Sequence, residues 1–354
     1  MKNNIKSSSK KQIRVLLTSS RGAIALGRVE ALKNNSDYNF YIIGTDASLD
    51  NFKLPLVDEQ IKVPLGDEPN FFNELKDIAL KKKVDVIIPA SDFELESIAK
   101  YKNEFEKIGS NCVCSDYEIT KTAMNKADML DYLKSKGVAV PKFFIPKNTD
   151  ELEKMIKELG YPKNPAIFKP ASSGGGNRGV WLVQEDFSKD FLNTKAVPFI
   201  SLSELISQLK KLKTFPHVVV MEYLPGEEYS VDGLGQNGNP RYIIPRVRVS
   251  PLPGYSQEGL IKSNTEVLDY VTEICEKFGF DSNFNVQLKY TSDNKPSVYE
   301  INPRVSATVV ANASAGVDLF LFGILQTAGY EYPLDLKPTS SRMIRFWKEF
   351  YKSE

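Results

Sequence analysis

The chain has 354 residues, a formal net charge of +1 and apolar, aromatic and charged fractions in the ordinary globular range. That length allows two or three domains with a substantial core, and the near-zero charge leaves no large field to draw in nucleic acid or an anionic membrane. His217 is the only histidine, which removes histidine-based triads, histidine-rich zinc sites and most ordinary general-base schemes.

Chemistry therefore falls to carboxylates, amides, lysines, arginines and a hard cation. No apolar run approaches the length of a membrane span. Met1–Lys11 is polar and basic and lacks the apolar core and cleavage site of a signal peptide, so a frayed tail and a cytoplasmic protein are expected. Cys112, Cys114 and Cys275 are odd in number and read as buried thiols in a reduced compartment.

In chain order, Ile13–Thr18 (IRVLLT) is expected as a strand, followed by the turn Ser19-Ser20-Arg21-Gly22. A helix over Ala23–Asn35 and a strand over Asn39–Gly44 come next. Asn70–Lys83 has the period of an amphipathic helix, with Phe71, Leu75, Ile78 and Ala79 on its apolar stripe. The strand Val84–Pro89, the helix Glu94–Lys107 and the strand Asn111–Cys114 complete an alternation that implies a small doubly wound parallel sheet. Its ligand-facing edge, at the carboxyl ends of the strands, carries Ser19, Ser20, Asp46, Ser91, Asp92 and Glu94.

Tyr117–Gly137 follows as one helix or two and bears Lys126; GVAVPKFF is a strand interrupted by Pro141. Thr149–Leu159 is a helix capped by Asn148 or Thr149. Phe168–Val183 (FKPASSGGGNRGVWLV) sets three consecutive glycines between two strand-like runs. Asp186–Thr214 is a local insertion, helical over Ser201–Lys213. Val218–Met221 is a strand leading into Glu222-Tyr223-Leu224-Pro225-Gly226, and Glu227–Leu234 is a strand with Glu228, Ser230 and Asp232 on one face. After a turn at Gly238-Asn239-Pro240, Arg241–Ser250 carries Arg246 and Arg248 on one side. Pro251–Gly259 reads as a surface loop, and Thr265–Phe278 as a helix ended by Gly279. A hairpin, a helix from about Val309 and a strand near Arg342–Trp347 finish the chain.

Two stretches carry the chemistry. Glycines in the Phe168–Val183 loop can bring bare backbone N–H groups against an anion, so the loop is a flap over phosphates or else a plain hairpin loop. The later hairpin, FNVQLKY and SVYEINPR, turns around Asp293-Asn294. Symmetric pairing sets Gln287 opposite Glu300 and Asn285 opposite Asn302. One face then offers a carboxylate and three amide oxygens, a donor set for Mg²⁺ shared with nucleotide phosphates rather than for zinc or copper. The alternative is a solvated polar face on an edge hairpin. Arg246 and Arg248 are candidates for gripping a substrate carboxylate, or else surface arginines, and Lys262 is a weaker candidate. Asp92 and Glu94 are candidates for contacting a second substrate.

Three other signals fail. Gly22–Val29 has the glycine spacing of a P-loop but ends in Arg-Val, without the lysine and hydroxyl that the P-loop requires. No G-x-G-x-x-G is present, so no NAD site is expected. Asp281–Asn285 opens like a calcium loop, yet Val286 and Ser292 replace its glycine and terminal glutamate.

The order Lys126, Phe168-Lys169-Pro170, SSGGGNRG, Glu222-Tyr223-Leu224-Pro225-Gly226-Glu227-Glu228, Asn285-Val286-Gln287 and Glu300-Ile301-Asn302-Pro303-Arg304 resembles the ATP-grasp superfamily. The likeness is to the branch of the carbamoyl-phosphate synthetase large subunit and the carboxylate–amine ligases, and it covers Ile13 to about Gly329. It implies an α/β and α+β protein: a flexible tail (1–12), a Rossmann-like pre-ATP-grasp domain (13–115) and a two-part ATP-grasp domain (116–354). Within the last, 116–224 is the central and lid part and 225–354 the metal-binding part.

The resemblance also implies roles. Lys126 and Lys169 neutralise the phosphates of ATP. Ser172, Ser173, Gly174, Gly175, Gly176 and Gly179 form the flap, with Arg178 as an extra contact. Glu222, Tyr223 and Leu224 form the hinge that reads adenine, and Glu228 accepts the ribose hydroxyls. Gln287, Glu300 and Asn302 hold Mg²⁺ or Mn²⁺, and Arg304 stabilises the phosphate in transfer. The implied reaction is ADP-forming: a carboxylate becomes an acyl phosphate and an amine attacks it. The expected partners are these small molecules, with neither nucleic acid nor membrane, and a homodimer is expected because such relatives are often dimers. Phosphorylation of bicarbonate is the runner-up, set against Ala307 where the synthetase pattern carries a basic residue. A nucleotide-binding regulator without turnover is the non-enzymatic alternative.

Overall fold

The computed structural model describes residues 11–22, 24–48, 55–172, 179–185, 198–252, 255–346 and 348–351. Contacts gather them into two compact units, the first from the described residues of Met1–Cys114 together with Phe320–Tyr332, the second from Ser115–Leu319 and Pro333–Tyr351. Among the described residues no single helix is long and apolar enough to cross a membrane.

The first unit runs β1 (Lys11–Leu17), α1 (Ala25–Lys33), β2 (Tyr38–Asp46), β3 (Glu59–Lys62), α2 (Phe71–Lys82), β4 (Val86–Ile88), α3 (Asp92–Lys100), α4 (Lys102–Glu106) and β5 (Asn111–Cys112). Its sheet has the order β3-β2-β1-β4-β5 and all its pairs are parallel. Ile13, Val15, Phe40, Ile42, Val86 and Ile88 are buried in it, as expected of strands covered on both faces. The expected helix Glu94–Lys107 is broken at Tyr101, whose ring stacks on Phe72 at 4.0 Å between centroids. β3 (EQIK) lies at an edge and has too little apolar content to stand out in the sequence.

Between β1 and β4 the strand order reverses, and the expected polar residues collect there. Ser19, held at φ 46°, donates from Oγ to Glu94 at 2.7 Å, and Ser91 donates to the other carboxylate oxygen. Burial pushes the Glu94 carboxyl above its ordinary value despite these two hydroxyls.

The second unit begins with α5 (Tyr117–Met124) and α6 (Lys126–Ser135), separated at Asn125, whose side chain caps α6. A five-stranded sheet of order β6-β10-β7-β8-β9 follows, formed by β6 (Phe143–Phe144), β7 (Ala166–Pro170), β8 (Trp181–Val183), β9 (Phe199–Ile200) and β10 (Val218–Glu222). Two helices, α7 (Thr149–Glu158) and α8 (Leu202–Lys210), start at the side-chain caps Asn148 and Ser201. Leu152, Ile156, Leu205 and Leu209 on these helices share one apolar core with Phe168, Val218 and Val220.

A six-stranded sheet of order β15-β14-β11-β12-β13-β16 completes the second unit. Its strands are β11 (Glu228–Gln236), β12 (Asn239–Leu252), β13 (Tyr255–Ile261), β14 (Asn283–Tyr290), β15 (Pro296–Asn302) and β16 (Ser341–Ile344). β13 occupies part of the stretch expected to be a loop, where it pairs antiparallel with β12. α9 (Thr265–Phe278) matches its expected bounds and ends at Gly279, at φ 75°. A 3₁₀ turn (Val309–Ala315) precedes α10 (Leu319–Thr327).

Alternation gives the sheet two unlike faces. Tyr229, Val231, Val247, Val286, Leu288 and Ile301 are buried in the core with Leu130, Leu133, Val267, Val271 and Ile274 from α6 and α9. Each such aliphatic side chain contributes about 1.5–3 kcal/mol relative to an exposed one. The opposite face carries the polar residues.

Candidate active site

Four adjacent strands build the polar face, and their register decides which side chains meet. Asp232 lies opposite Asn285 and Ser230 opposite Gln287 across β11 and β14. Ser230 lies opposite Arg246 across β11 and β12. Across β14 and β15, Asn285 pairs with Asn302 and Gln287 with Glu300, as hairpin symmetry predicts. Glu228, Ser230, Asp232, Arg246, Asn285, Gln287, Glu300 and Asn302 therefore belong to one surface.

Lys126 and Lys169 converge on that surface from other elements. Lys126 opens α6, where its own N–H donates to Ala171 O at 2.7 Å, and its Nζ lies 3.9 Å from Glu300 Oε1. Lys169, near the end of β7, donates from Nζ to Tyr299 O at 2.7 Å. Both lysines are at least 95% buried. Burial, and secondly the Lys126 charge, push the Lys169 ammonium down to about 7, while Glu300 pulls the other way. Two buried cations sharing one carboxylate form a site short of negative charge.

β7 and β8 are antiparallel with Phe168 opposite Trp181, and the glycine stretch lies between these two strands in the sequence. Ser172 and Gly179 stand exposed at its two ends, with Gly179 at φ 71°. Ser173, Gly174, Gly175, Gly176 and Arg178 lie outside the described residues.

The hinge follows β10. The Glu222 carboxylate accepts from Lys142 N–H at 2.7 Å, Tyr223 is exposed and Leu224 is buried. Lys289 Nζ lies 5.4 Å from the Tyr223 ring centroid. Gly226 packs against β14 so closely that an added Cβ would sit 2.5 Å from Tyr290 Cβ. Only glycine fits there.

Gln287, Glu300 and Asn302 supply one carboxylate and two amides. Among the described residues no group of three or more His, Cys, Asp or Glu could hold a metal ion by itself. The donor set nevertheless fits a hard, oxygen-seeking cation that takes its remaining ligands from phosphate oxygens. Arg304 stands beside it, donating to Asn302 Oδ1 at 3.2 Å and to Val305 O at 3.1 Å.

Arg246 and Arg248 of β12 are both internal. Arg246 is completely buried and donates to Ser230 Oγ at 3.2 Å, to Asp232 Oδ2 at 3.4 Å and to Thr308 Oγ1. Its Nε and second terminal nitrogen find no hydrogen-bond partner among the described residues. Arg248 pairs with the Glu228 carboxylate and donates from Nε to Ser256 Oγ at 3.0 Å. Lys262 is further out, 3.4 Å from Glu227.

Three participants were not legible as such in the sequence. Asp232 is the counter-ion of Arg246 and also accepts from Asn285 and Asn312. Arg345 donates to Ala307 O at 2.8 Å, which brings a guanidinium to the position without a basic side chain of its own. Tyr299 occupies a β-bulge: the pairing shifts between Gln287 and Leu288, so Leu288 meets Val298 and Tyr299 has no residue opposite.

A family model described as ATP-grasp in the biosynthetic pathway with Ter operon matches residues 214–345, and a model of the PylC-like N-terminal domain matches residues 15–113. The chain is 24% identical over 309 residues to a carbamoyl-phosphate synthase of Methanobrevibacter smithii, covering 80% of this chain and 75% of that one. It is 23% identical over 297 residues to the carbamoyl phosphate synthase large chain of Pseudothermotoga lettingae, covering 82% of this chain but only 25% of that one. Among solved structures, N5-carboxyaminoimidazole synthetase from Staphylococcus aureus complexed with ADP superposes with a TM-score of 0.72 at 20% identity, over 95% of this chain and 83% of that one.

Proposed function

We propose, for a chain that belongs to the ATP-grasp superfamily, the activity of an ATP-dependent, ADP-forming ligase that joins a carboxylate to an amine through an acyl phosphate. The observation that carries this reading is the convergence of Lys126, Lys169 and Glu300 with Gln287 and Asn302 on one polar sheet face.

Each side chain then has a task that its chemistry suits. Lys126 and Lys169 neutralise the phosphates of ATP, replacing the mutual repulsion of two buried cations by attraction to an anion. Ser172 and Gly179 bring the loop ends to those phosphates. The hinge Glu222-Tyr223-Leu224 takes the adenine edge, and Glu228 the ribose hydroxyls. Gln287, Glu300 and Asn302 would hold Mg²⁺, which supplies charge neutralisation at the transferring phosphoryl group; Mn²⁺ is expected to substitute for it.

In the first half-reaction a carboxylate oxygen of the substrate forms a bond to the γ-phosphorus of ATP. The bond from that phosphorus to the bridging oxygen breaks, and ADP leaves. Arg304, anchored at Asn302, stabilises the charge on the transferring group. In the second, the amine nitrogen attacks the activated carbonyl carbon, phosphate departs and the nitrogen gives up a proton. Arg246 and Arg248 orient the acid. Neither half-reaction calls on a histidine.

A second reading has specific support. Two relatives are named carbamoyl-phosphate synthase or its large chain, and Arg345 reaches Ala307, where the synthetase pattern carries a basic residue. Bicarbonate would then be the acid that is phosphorylated. Both readings are tested by measuring ADP release across carboxylic acids and amines, together with the product mass. ADP release that needs both an acid and an amine, with a product lighter than their sum by one water, supports the ligase. Release with bicarbonate and no amine favours the second reading. ATP binding without ADP release under any condition sinks both.

A further inference from the structure

Lys289 shares the polar face but has no task in the proposed reaction. It lies opposite Glu228 across β11 and β14, so the two side chains leave the sheet on the same side. They form no ion pair. The Glu228 carboxylate pairs with Arg248 instead, and its Oε1 also accepts from the Tyr299 hydroxyl at 2.7 Å. Among the described residues the Lys289 ammonium makes no hydrogen bond and no ion pair, and it stands 5.4 Å from the centroid of the Tyr223 ring.

The hinge is fastened to the same strand. Gly226 N–H donates to Tyr290 O at 2.9 Å and Tyr290 N–H to Glu227 O at 3.1 Å, so the hinge chain runs beside the end of β14. A half-buried ammonium without an acceptor therefore stands between the hinge residue Tyr223 and the carboxylate Glu228. A charge removed from water without a partner is costly, and a ligand that brings an acceptor relieves that cost.

The nucleotide carries a suitable atom. With N1 and N6 of adenine at the hinge and the ribose hydroxyls at Glu228, the base atom on the edge between these two anchors is N3. It has a lone pair and no proton, whereas N7 lies on the opposite edge. We propose that Lys289 is a nucleobase-binding residue whose ammonium donates to N3 of the adenine ring. This rests on the assignment of Glu222-Tyr223-Leu224 to adenine and of Glu228 to ribose.

Base analogues test the contact on the unaltered protein. Isothermal titration compares ADP with 3-deaza-ADP and 7-deaza-ADP, where a C–H replaces N3 or N7, each in the presence of Mg²⁺. Loss of N3 is expected to weaken binding roughly tenfold or more, the range of a hydrogen bond from a charged donor. Lys289→Met keeps an unbranched stem without the charge. It should bind ADP and 3-deaza-ADP equally, while both proteins respond alike to 7-deaza-ADP. Wild-type protein that binds ADP and 3-deaza-ADP with one affinity overturns the proposal, and so does a Lys289→Met variant that still separates them by the wild-type factor. Ribose 5-diphosphate, which lacks the base, tells this failure from a deeper one. Wild-type protein that binds it as tightly as ADP overturns the adenine assignment as well, whereas a preference for ADP without sensitivity to N3 overturns the Lys289 contact alone.

Discussion

Lys169 predicts a pH dependence of nucleotide binding whose size follows from its surroundings. In the ligand-free protein, burial and Lys126 bring its ammonium from an ordinary 10.5 to about 7. A polyphosphate beside it restores the charged form. The bound state therefore holds a proton that the free state has half lost at pH 7, so affinity falls as pH rises through the free-state value. With full restoration toward 10.5, binding weakens by roughly 50-fold between pH 7 and pH 9. The ligand-free protein behaves in the opposite sense. From about 7 up to 10.5 its unfolded state holds more protons at this group, so the Lys169 contribution to stability rises with pH.

Isothermal titration of ADP with Mg²⁺, run in buffers of different ionisation enthalpy, measures both the affinity and the protons taken up. Proton uptake approaching one at pH 9 is expected. Lys169→Arg, whose guanidinium stays charged, should bind with little pH dependence. An affinity flat from pH 7 to 9, with heats independent of buffer, refutes the reasoning.

Glu300→Ala should reduce ADP formation by at least about 10²-fold with the fold retained, because it removes the one carboxylate shared by the two lysines and the cation face; circular dichroism and steady-state ADP release check this. Asp232→Ala leaves the fully buried Arg246 without its counter-ion and should lower stability by roughly 3–5 kcal/mol in urea unfolding. Gly226→Ala forces the hinge away from Tyr290, and nucleotide affinity should fall while the urea midpoint changes little; the opposite pattern would place the effect in folding rather than at the hinge.

The hairpin was legible because alternation and the turn at Asp293-Asn294 fix its register; Asn294 takes a positive φ of 55° there. Symmetry correctly placed Gln287 against Glu300. It could not reveal the extra residue at Tyr299, since a bulge changes the pairing without changing the pattern of side-chain types around it. The face shared by Glu228, Ser230 and Asp232 was readable for the same reason, whereas the neighbours of that face were not. That β11 lies between β12 and β14 is a matter of sheet order, which no local periodicity records. Arg246 and Arg248 thus read as free to grip a substrate, although each carries an internal carboxylate partner. The meeting of Lys126 with Lys169, 43 residues apart in sequence, followed from motif order rather than from spacing. β3 and β13 do not stand out in the sequence, because a polar edge strand looks like a loop and the prolines and glycines of Pro251–Gly259 read as a surface loop.

The acyl phosphate is the centre of the account, and oxygen-18 tests it most directly. With an acid labelled in its carboxylate and an amine acceptor, one labelled oxygen should appear in the phosphate released together with ADP. Phosphate free of label, or formation of AMP and pyrophosphate, would contradict it.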